Sequence, residues 1–322
     1  MELSFKVKAV YDGRRLGDVL TEQELMSTRQ KKQVRLYGSA LRNGQPHRLI
    51  DPVYAGDEIT VSDGESPGEV KSGHRFSVLY EDQYFIAVNK PAGLLTHPSI
   101  RDDESVLDTL GPSLRAVGRL DKGTSGVLLL AKDAHSHFVA STMPSRKLYL
   151  GICHGRFQEK RVTLEGPIRR SNQQYIRRVV HPTGKKARTR VLMLGYDETR
   201  HISLAAFRLE TGRTHQIRVH TLWNGNPLVG DWLYGLQNLE DIFPGKGLVK
   251  EDRAAYAASL YTEKAFRTDD LIGRAALHAY ALTFYHPLTH RYQRVVAPLP
   301  SDLKRLCGSI SRDAPRRSEE SL

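Results

Sequence analysis

The sequence predicts an α+β fold: a mixed, largely antiparallel sheet domain preceded by a small α/β module. Three observations carry this. Eight strand-length apolar runs lie between residues 78 and 296, with only two helical patterns among them. That is too few crossover helices for a parallel sheet. Residues 62–74 mix Gly, Pro, Ser and charge with no apolar period, as a linker does. The length of 322 residues suits two domains. Hydrophobic residues at 39% and charged residues at 26% are ordinary globular values, which excludes collagen-like, disordered and disulfide-scaffold chains.

In the first module, residues 14–26 read as a short amphipathic helix with Leu16, Val19, Leu20 and Leu25 on its apolar side. Residues 27–35, Ser-Thr-Arg-Gln-Lys-Lys-Gln-Val-Arg, open with capping hydroxyls and place Arg29, Lys31, Lys32 and Arg35 on a basic helix. Two short strand runs follow, at 40–45 and 54–61, with Asn-Gly and Gly-Asp turns. The module is expected to occupy 1–64 and the linker 65–74.

In the second domain, expected over 75–300, the strand runs are 78–80, 85–89, 127–131, 147–153, 187–194, 202–209, 279–285 and 291–296, and the helical patterns are 132–141 and 214–223. Residues 301–322 are expected to form a loose tail, because the stretch from Ser309 is polar with no burial pattern.

Lys and Arg number 48 against 36 Asp and Glu, a net charge of +12, which favours a polyanionic partner. No run approaches the ~18 apolar residues of a membrane span, and the first residues carry no secretion signal. Cys153 and Cys307 are the only cysteines, which suits a reducing cytoplasm and leaves no Cys cluster for a metal.

The most informative stretch is Gly118-Arg119-Leu120-Asp121-Lys122-Gly123-Thr124-Ser125-Gly126, followed at once by an apolar strand. It sets a carboxylate on a tight loop at a strand edge, a place where reactive groups are often presented. Taken alone, Asp121 more often caps its own turn. A second segment, Glu210-Thr211-Gly212-Arg213-Thr214-His215-Gln216-Ile217-Arg218, changes that weighting: Thr214 can cap a helix on which His215 and Arg218, three apart, share a face. Arg218 then either faces a carboxylate or phosphate or bridges two elements as a structural ion pair.

Together with Asn89-Lys90-Pro91-Ala92-Gly93, Arg146-Lys147-Leu148-Tyr149, Val229-Gly230-Asp231 and Leu277-His278-Ala279, these segments in this order resemble the RluA-type pseudouridine synthases from about residue 76 to 300. The Ser-Thr-Arg opening, the Arg-Asn-Gly turn and the Ala-Gly-Asp-Glu-Ile close at 13–61 resemble the α-L RNA-binding module. The resemblance implies a catalytic Asp, here Asp121, an active-site Tyr, here Tyr149, and a basic partner, here Arg218. Arg119, Thr124, Lys147, His215 and Leu277 fall in the matching motifs as substrate-binding residues. Arg29, Lys31, Lys32 and Arg35 become RNA contacts. The family often carries His before Arg-Leu-Asp; this chain has Gly118.

The implied reaction turns uridine in rRNA or tRNA into pseudouridine, with no gain or loss of electrons, so no cofactor and no metal are expected. A charged Asp121, held by Arg218, acts as nucleophile at the sugar, as a base on a ribose proton, or as nucleophile at the base. Tyr149 serves as base toward carbon 5 only if positive neighbours bring its pKa down. Arg119, with its flat guanidinium, is the candidate to fill the gap left by a flipped nucleotide. A cytoplasmic monomer is expected, with RNA and no membrane as partner.

Other function classes fit less well. His135 and His137 point different ways on a helix, and His215 and His220 are five apart, so neither pair makes a metal face. Thr124-Ser125-Gly126 lacks the flanks of a nucleophilic serine. A glycosidase would pair Asp121 with Asp231. An inactive RNA-binding or ribosome-assembly protein of the same fold is the main alternative.

Overall fold

The computed structural model describes residues 2–23, 25–27, 30, 31, 34, 39–62, 76–99, 104–111, 113–172, 176–236, 251–308 and 310–312. It divides into two units, Met1–Arg75 with Leu95–Leu114, and Phe76–Leu94 with Arg115–Leu322. The expected linker lies almost wholly outside the described residues.

In the second unit the strand Ser125–Ala131, Ser-Gly-Val-Leu-Leu-Leu-Ala, is buried at every position. A strand with no polar alternation needs cover on both faces, so it lies inside its sheet. The sheet runs Arg161–Glu165, Arg188–Asp197, Ile202–Leu209, Arg146–His154, Leu277–His286, Ser125–Ala131, Phe85–Lys90, Ser77–Glu81. Leu277–His286 and Ser125–Ala131 run parallel, with Ser125 opposite His278 and Gly126 opposite Ala279. The other neighbours along this order pair antiparallel. The sheet is thus mixed and largely antiparallel.

The parallel pair matters for position. It brings the starts of two strands distant in sequence to one edge, and the loop carrying Asp121 leads directly into one of them. His278 fixes this register. Its Nδ1 accepts from the Ser125 hydroxyl (2.9 Å), while Nε2 faces the Ala297 carbonyl (3.4 Å). Gly126 permits the approach: its φ is +116°, and a Cβ there would stand 2.2 Å from the Ala279 oxygen.

Helix Ala134–Thr142 is capped by Asp133, whose carboxylate accepts from Ser136 N–H. Helix Gln216–Trp223 is buried from Gln216 to Leu222. Of the tail 301–322, expected to be loose, residues 301–308 and 310–312 instead hold helix Ser301–Cys307 and a short strand, Ser311–Arg312, paired to Gly195 and Tyr196, while 309 and 313–322 lie outside the described residues. Leu303, Leu306 and Ile310, spaced three and four apart, pack with Ile152, Ile202 and Val229. That spacing is an apolar helical stripe lying among charged neighbours. No disulfide joins Cys153 and Cys307.

In the first unit, strand Glu58–Ser62 pairs with Glu2–Lys6 on one side and Ser39–Arg42 on the other. Helix Leu16–Glu22, shorter than the predicted 14–26, buries Leu16, Val19 and Leu20 against Val53, Ile59 and Val61. Arg14–Arg15 are instead a short strand paired to Pro52–Val53. Asn43 and Gly44, at φ 51° and 75°, make the predicted hairpin turn. Ser27 and Gln30 form a reciprocal cap, each side chain accepting the other's backbone N–H. Among the described residues no helix is long and apolar enough to cross a membrane.

Gly126→Ala is expected to cost about 3 kcal/mol or more, since strain and a backbone clash coincide. Urea unfolding checks this; a midpoint within error of the parent contradicts the assignment.

Candidate active site

Four segments meet at the edge created by the parallel pair: the Asp121 loop, strand Arg146–His154, the start of helix Gln216–Trp223 and Leu277. They enclose a cavity of about 140 Å³ that includes Arg119, Asp121, Thr124, Lys147, Tyr149, His215, Arg218 and Leu277. All eight second-domain residues expected at the site therefore gather around one space.

The loop presents its carboxylate by spending its main chain elsewhere. Thr124 N–H bonds the Asp121 main-chain oxygen (3.0 Å), and the Lys122 carbonyl accepts from Gly93 N–H (2.8 Å) and from the Lys90 ammonium (3.3 Å). The Asp121 side chain points at cations rather than capping its own turn. Its Oδ2 lies 3.5 Å from Arg218 Nη1, and its Oδ1 lies 3.8 Å from His215 Nε2 and 4.0 Å from Arg119 Nη2.

Arg218 satisfies both alternatives read from the sequence, and unequally. Its tight contacts go to Asp231, from Nε and Nη2 at 2.6 Å each, and Nη1 is left toward Asp121. Asp231 is completely buried, and its Oδ1 also accepts from Leu233 and Tyr234 N–H (3.1 and 3.0 Å). Burial opposes the Arg218 charge, but the Asp231 hydrogen bonds and charge, with a contribution from Asp121, overcome it and hold its pKa above the usual value. The guanidinium also lies 4.9 Å from the centre of the Tyr234 ring. Asp231 is thereby committed to a structural pair, which removes the second carboxylate a glycosidase would need.

Thr214 does not cap the helix. The N-cap is His215, in left-handed conformation at φ 58°, and Gln216 closes the turn by accepting from Thr211 Oγ1 (2.8 Å) and Arg213 N–H (3.0 Å). Tyr234 orders the His215 ring. Its oxygen accepts from Arg178 N–H (2.8 Å) and lies 2.9 Å from His215 Nδ1; with the acceptor carboxylate of Asp121 3.8 Å from Nε2, the favoured neutral tautomer carries its hydrogen on Nε2 and accepts from the Tyr234 hydroxyl at Nδ1. Burial, opposed by the Asp121 charge, lowers the His215 pKa to about 4, so the ring is neutral near pH 7.

Tyr149 departs from expectation. Burial, and then the Asp121 charge, push its phenol upward, so the free pocket holds it neutral rather than poised as a base. Lys147, lowered by burial, adds a cation to the wall. Gly118, at φ +85°, has Lys147 Nζ 3.7 Å from where a Cβ would stand. The position that often holds His in the resembling family is thus a backbone turn here, with an ammonium alongside.

Of the basic-helix residues, Arg29, Lys32 and Arg35 lie outside the described residues. Lys31 bonds the Gly17 carbonyl (3.2 Å) and the Thr21 hydroxyl, so two of its three ammonium donors are used within the module. Sequence reasoning assigned no role to Lys90 or Tyr234, and considered Asp231 only as the second carboxylate of a glycosidase. Two sat in quoted motifs, but their partners come from loops that only the fold brings together.

Comparison with known proteins agrees with this geometry. Residues 84–223 match the RNA pseudouridylate synthase family. Ribosomal large subunit pseudouridine synthase D of Xylella fastidiosa is 32% identical over 320 residues, covering 94% of this chain and 90% of that one. The RNA pseudouridine synthase YhcT of Bacillus subtilis is 31% identical over 263 residues, 77% of each chain. The structure of human RNA pseudouridylate synthase domain containing 1 superposes with a TM-score of 0.57 at 25% identity, over 80% of this chain and 95% of that one.

Two outcomes follow for stability. His215 and His278 both hold pKa values near 4, against an ordinary 6.5, chiefly through burial. The unfolded chain therefore binds protons between pH 6.5 and 4 that the folded chain excludes. Stability is complete above pH 6.5 and falls on acidification, by on the order of 1–2 kcal/mol per ring at pH 5. Equal urea midpoints at pH 7 and pH 5 would contradict this. Asp231→Ala, which leaves Arg218 buried without its partner, is expected to destabilise by about 3–5 kcal/mol in the same measurement; a loss under 1 kcal/mol contradicts the pairing.

Proposed function

This chain belongs to the RluA-type RNA pseudouridine synthases, and from that premise we propose that Asp121 is its catalytic carboxylate and ribosomal RNA its substrate. The single observation that carries the assignment of Asp121 is its setting: a carboxylate in the wall of a cavity, facing the Arg218 and Arg119 guanidiniums and a neutral His215 N–H. The ribosomal reading is supported by the name and near full-length similarity of the Xylella relative.

The reaction breaks the bond from ribose C1′ to base N1, turns the uracil, and joins C1′ to C5. C5 loses a proton and N1 gains one. Asp121 serves as nucleophile at C1′ or removes a ribose proton to give a glycal, and both routes use the same carboxylate in the same cavity. Arg218, fixed by Asp231, sets where that carboxylate stands. Tyr149, a neutral phenol in the free enzyme, supplies an aromatic wall for the base. Thr124, Lys147, His215 and Leu277 complete the pocket.

A stacked uridine must leave its helix to reach Asp121, which costs a few kcal/mol. Arg119 is suited to offset that cost, because its side chain is 57% exposed while its tip remains 4.0 Å from Asp121. A planar cation at that position can stack in the space the nucleotide vacates. The first unit, with its charge-rich sequence at 27–35, provides a further RNA-binding module.

Pseudouridine mapping of RNA from cells lacking the gene, treated in parallel with the parent and Asp121→Asn, tests the assignment. The parent is expected to restore a site in ribosomal RNA and Asp121→Asn none. Equal modification by both rejects Asp121, and restoration confined to tRNA rejects the substrate. Arg119→Ala is expected to slow modification of folded RNA by about 10- to 100-fold, with little change on an unstructured oligonucleotide; equal rates on both would reject its role.

A further inference from the structure

We propose that Arg274, locked by Asp302, is a positioning residue for Asp121, holding both the loop that carries the carboxylate and the pocket wall opposite it. The proposal rests on Asp121 as the catalytic group.

Arg274 lies just before Leu277–His286, and its side chain is 10% exposed. One edge of the guanidinium is fixed to a single carboxylate, with Nε 2.8 Å from Asp302 Oδ2 and Nη2 3.1 Å from Oδ1. This two-point contact sets the plane of the group. The remaining nitrogen, Nη1, then donates into a cluster of carbonyls: Leu277 at 3.0 Å, Gly123 at 3.1 Å and Ala275 at 3.2 Å. Gly123 is two residues after Asp121 in the tight turn, and Leu277 lines the cavity. One planar cation therefore fixes the distance between the catalytic loop and a wall of the pocket.

The backbone of Arg274 bears on the other arm of the site. A Cβ on Gly230 would stand 2.5 Å from the Arg274 carbonyl oxygen, so the two chains are in direct contact one residue before Asp231, the partner of Arg218. The Asp121 loop, through Gly123, and the segment that leads into Asp231, through Gly230, thus both abut Arg274.

Asp302 is anchored in turn. It sits in the first turn of helix Ser301–Cys307, where its Oδ1 accepts Leu303 N–H (2.7 Å), and that helix is seated by Leu303 and Leu306. Arg274 and Asp302 both lie beyond residues 84–223, the span that matches the family. Lysine cannot replace Arg274 in kind: it lacks the rigid fork that grips Asp302 with one edge and the loop with the other.

The test compares steady-state kinetics on a ribosomal RNA fragment for Arg274→Lys, Asp302→Asn, the double variant, Leu306→Ala and Asp121→Asn, each well below its Tm. Because small misplacements of a reacting group cost up to about 100-fold, Arg274→Lys is expected to lower kcat by about tenfold or more with KM within about threefold. Asp302→Asn is expected to lower kcat less, and to add almost nothing to Arg274→Lys, because it acts through Arg274. Leu306→Ala, which removes apolar packing while leaving both contacts between Asp302 and Arg274 in place, is expected to lower Tm with kcat kept.

A kcat within twofold of the parent in both Arg274→Lys and Asp302→Asn overturns the proposal. So does strict additivity of the two, or an equal loss of kcat in Leu306→Ala, which would make the effect general destabilisation. Should Arg274→Lys fail to fold, Asp302→Asn against Leu306→Ala decides alone. Activity retained by Asp121→Asn rejects the catalytic assignment itself, whereas an inactive Asp121→Asn beside an unaffected Arg274→Lys rejects only the clamp.

Discussion

The two hydrogen bonds between Arg218 and the completely buried Asp231 are the contact around which the pocket is arranged. Removing both charges from water costs several kcal/mol per ion, and the pair persists because each partner is otherwise satisfied. Asp231 takes two backbone N–H groups, and Arg218 lies over the Tyr234 ring. A cation fixed this firmly cannot reorganise as substrate charge develops. Its third nitrogen, aimed at Asp121, is therefore a preset field rather than a mobile side chain.

The same logic extends to the polar groups around it. Tyr234 links Arg178 N–H to His215, so main chain remote in sequence helps to orient the ring that faces Asp121. On the opposite side Lys90, completely buried, donates to the Pro91, Leu94 and Lys122 carbonyls. Burial, opposed by the Asp121 charge, brings its pKa down to about 7. Asp121 thus stands on a loop whose carbonyls are gripped by buried cations while its carboxylate remains 17% exposed. Rigidity is placed in the backbone and reactivity in the side chain.

Much of this was legible in the chain. The Gly-Thr-Ser-Gly turn before an apolar run located Asp121, and strand periodicity located the eight predicted strands, because both signals are local. What was missed depends on three-dimensional neighbours. Arg218 could be read as a site residue, but its commitment to Asp231 rests on its helix meeting the loop that carries Asp231. Thr214 looked like a helix cap, yet the chain enters that helix through a left-handed His215. The Tyr149 pKa moves upward because burial and the nearby Asp121 charge both disfavour the phenolate. The helix at 301–307 went unread because its apolar positions are few and set among charges, and Glu2–Lys6 because its alternation, though strict, covers five residues with two apolar ones.

The parallel pairing of Ser125–Ala131 with Leu277–His286 has a consequence for biosynthesis. It joins stretches of chain made far apart in time, and contacts of such long range are slow to close. A growing polypeptide displays the Asp121 turn long before the strand that completes its edge, or helix Ser301–Cys307, has been translated. Copies truncated before these elements consequently carry the Asp121 turn without the strand that completes its edge.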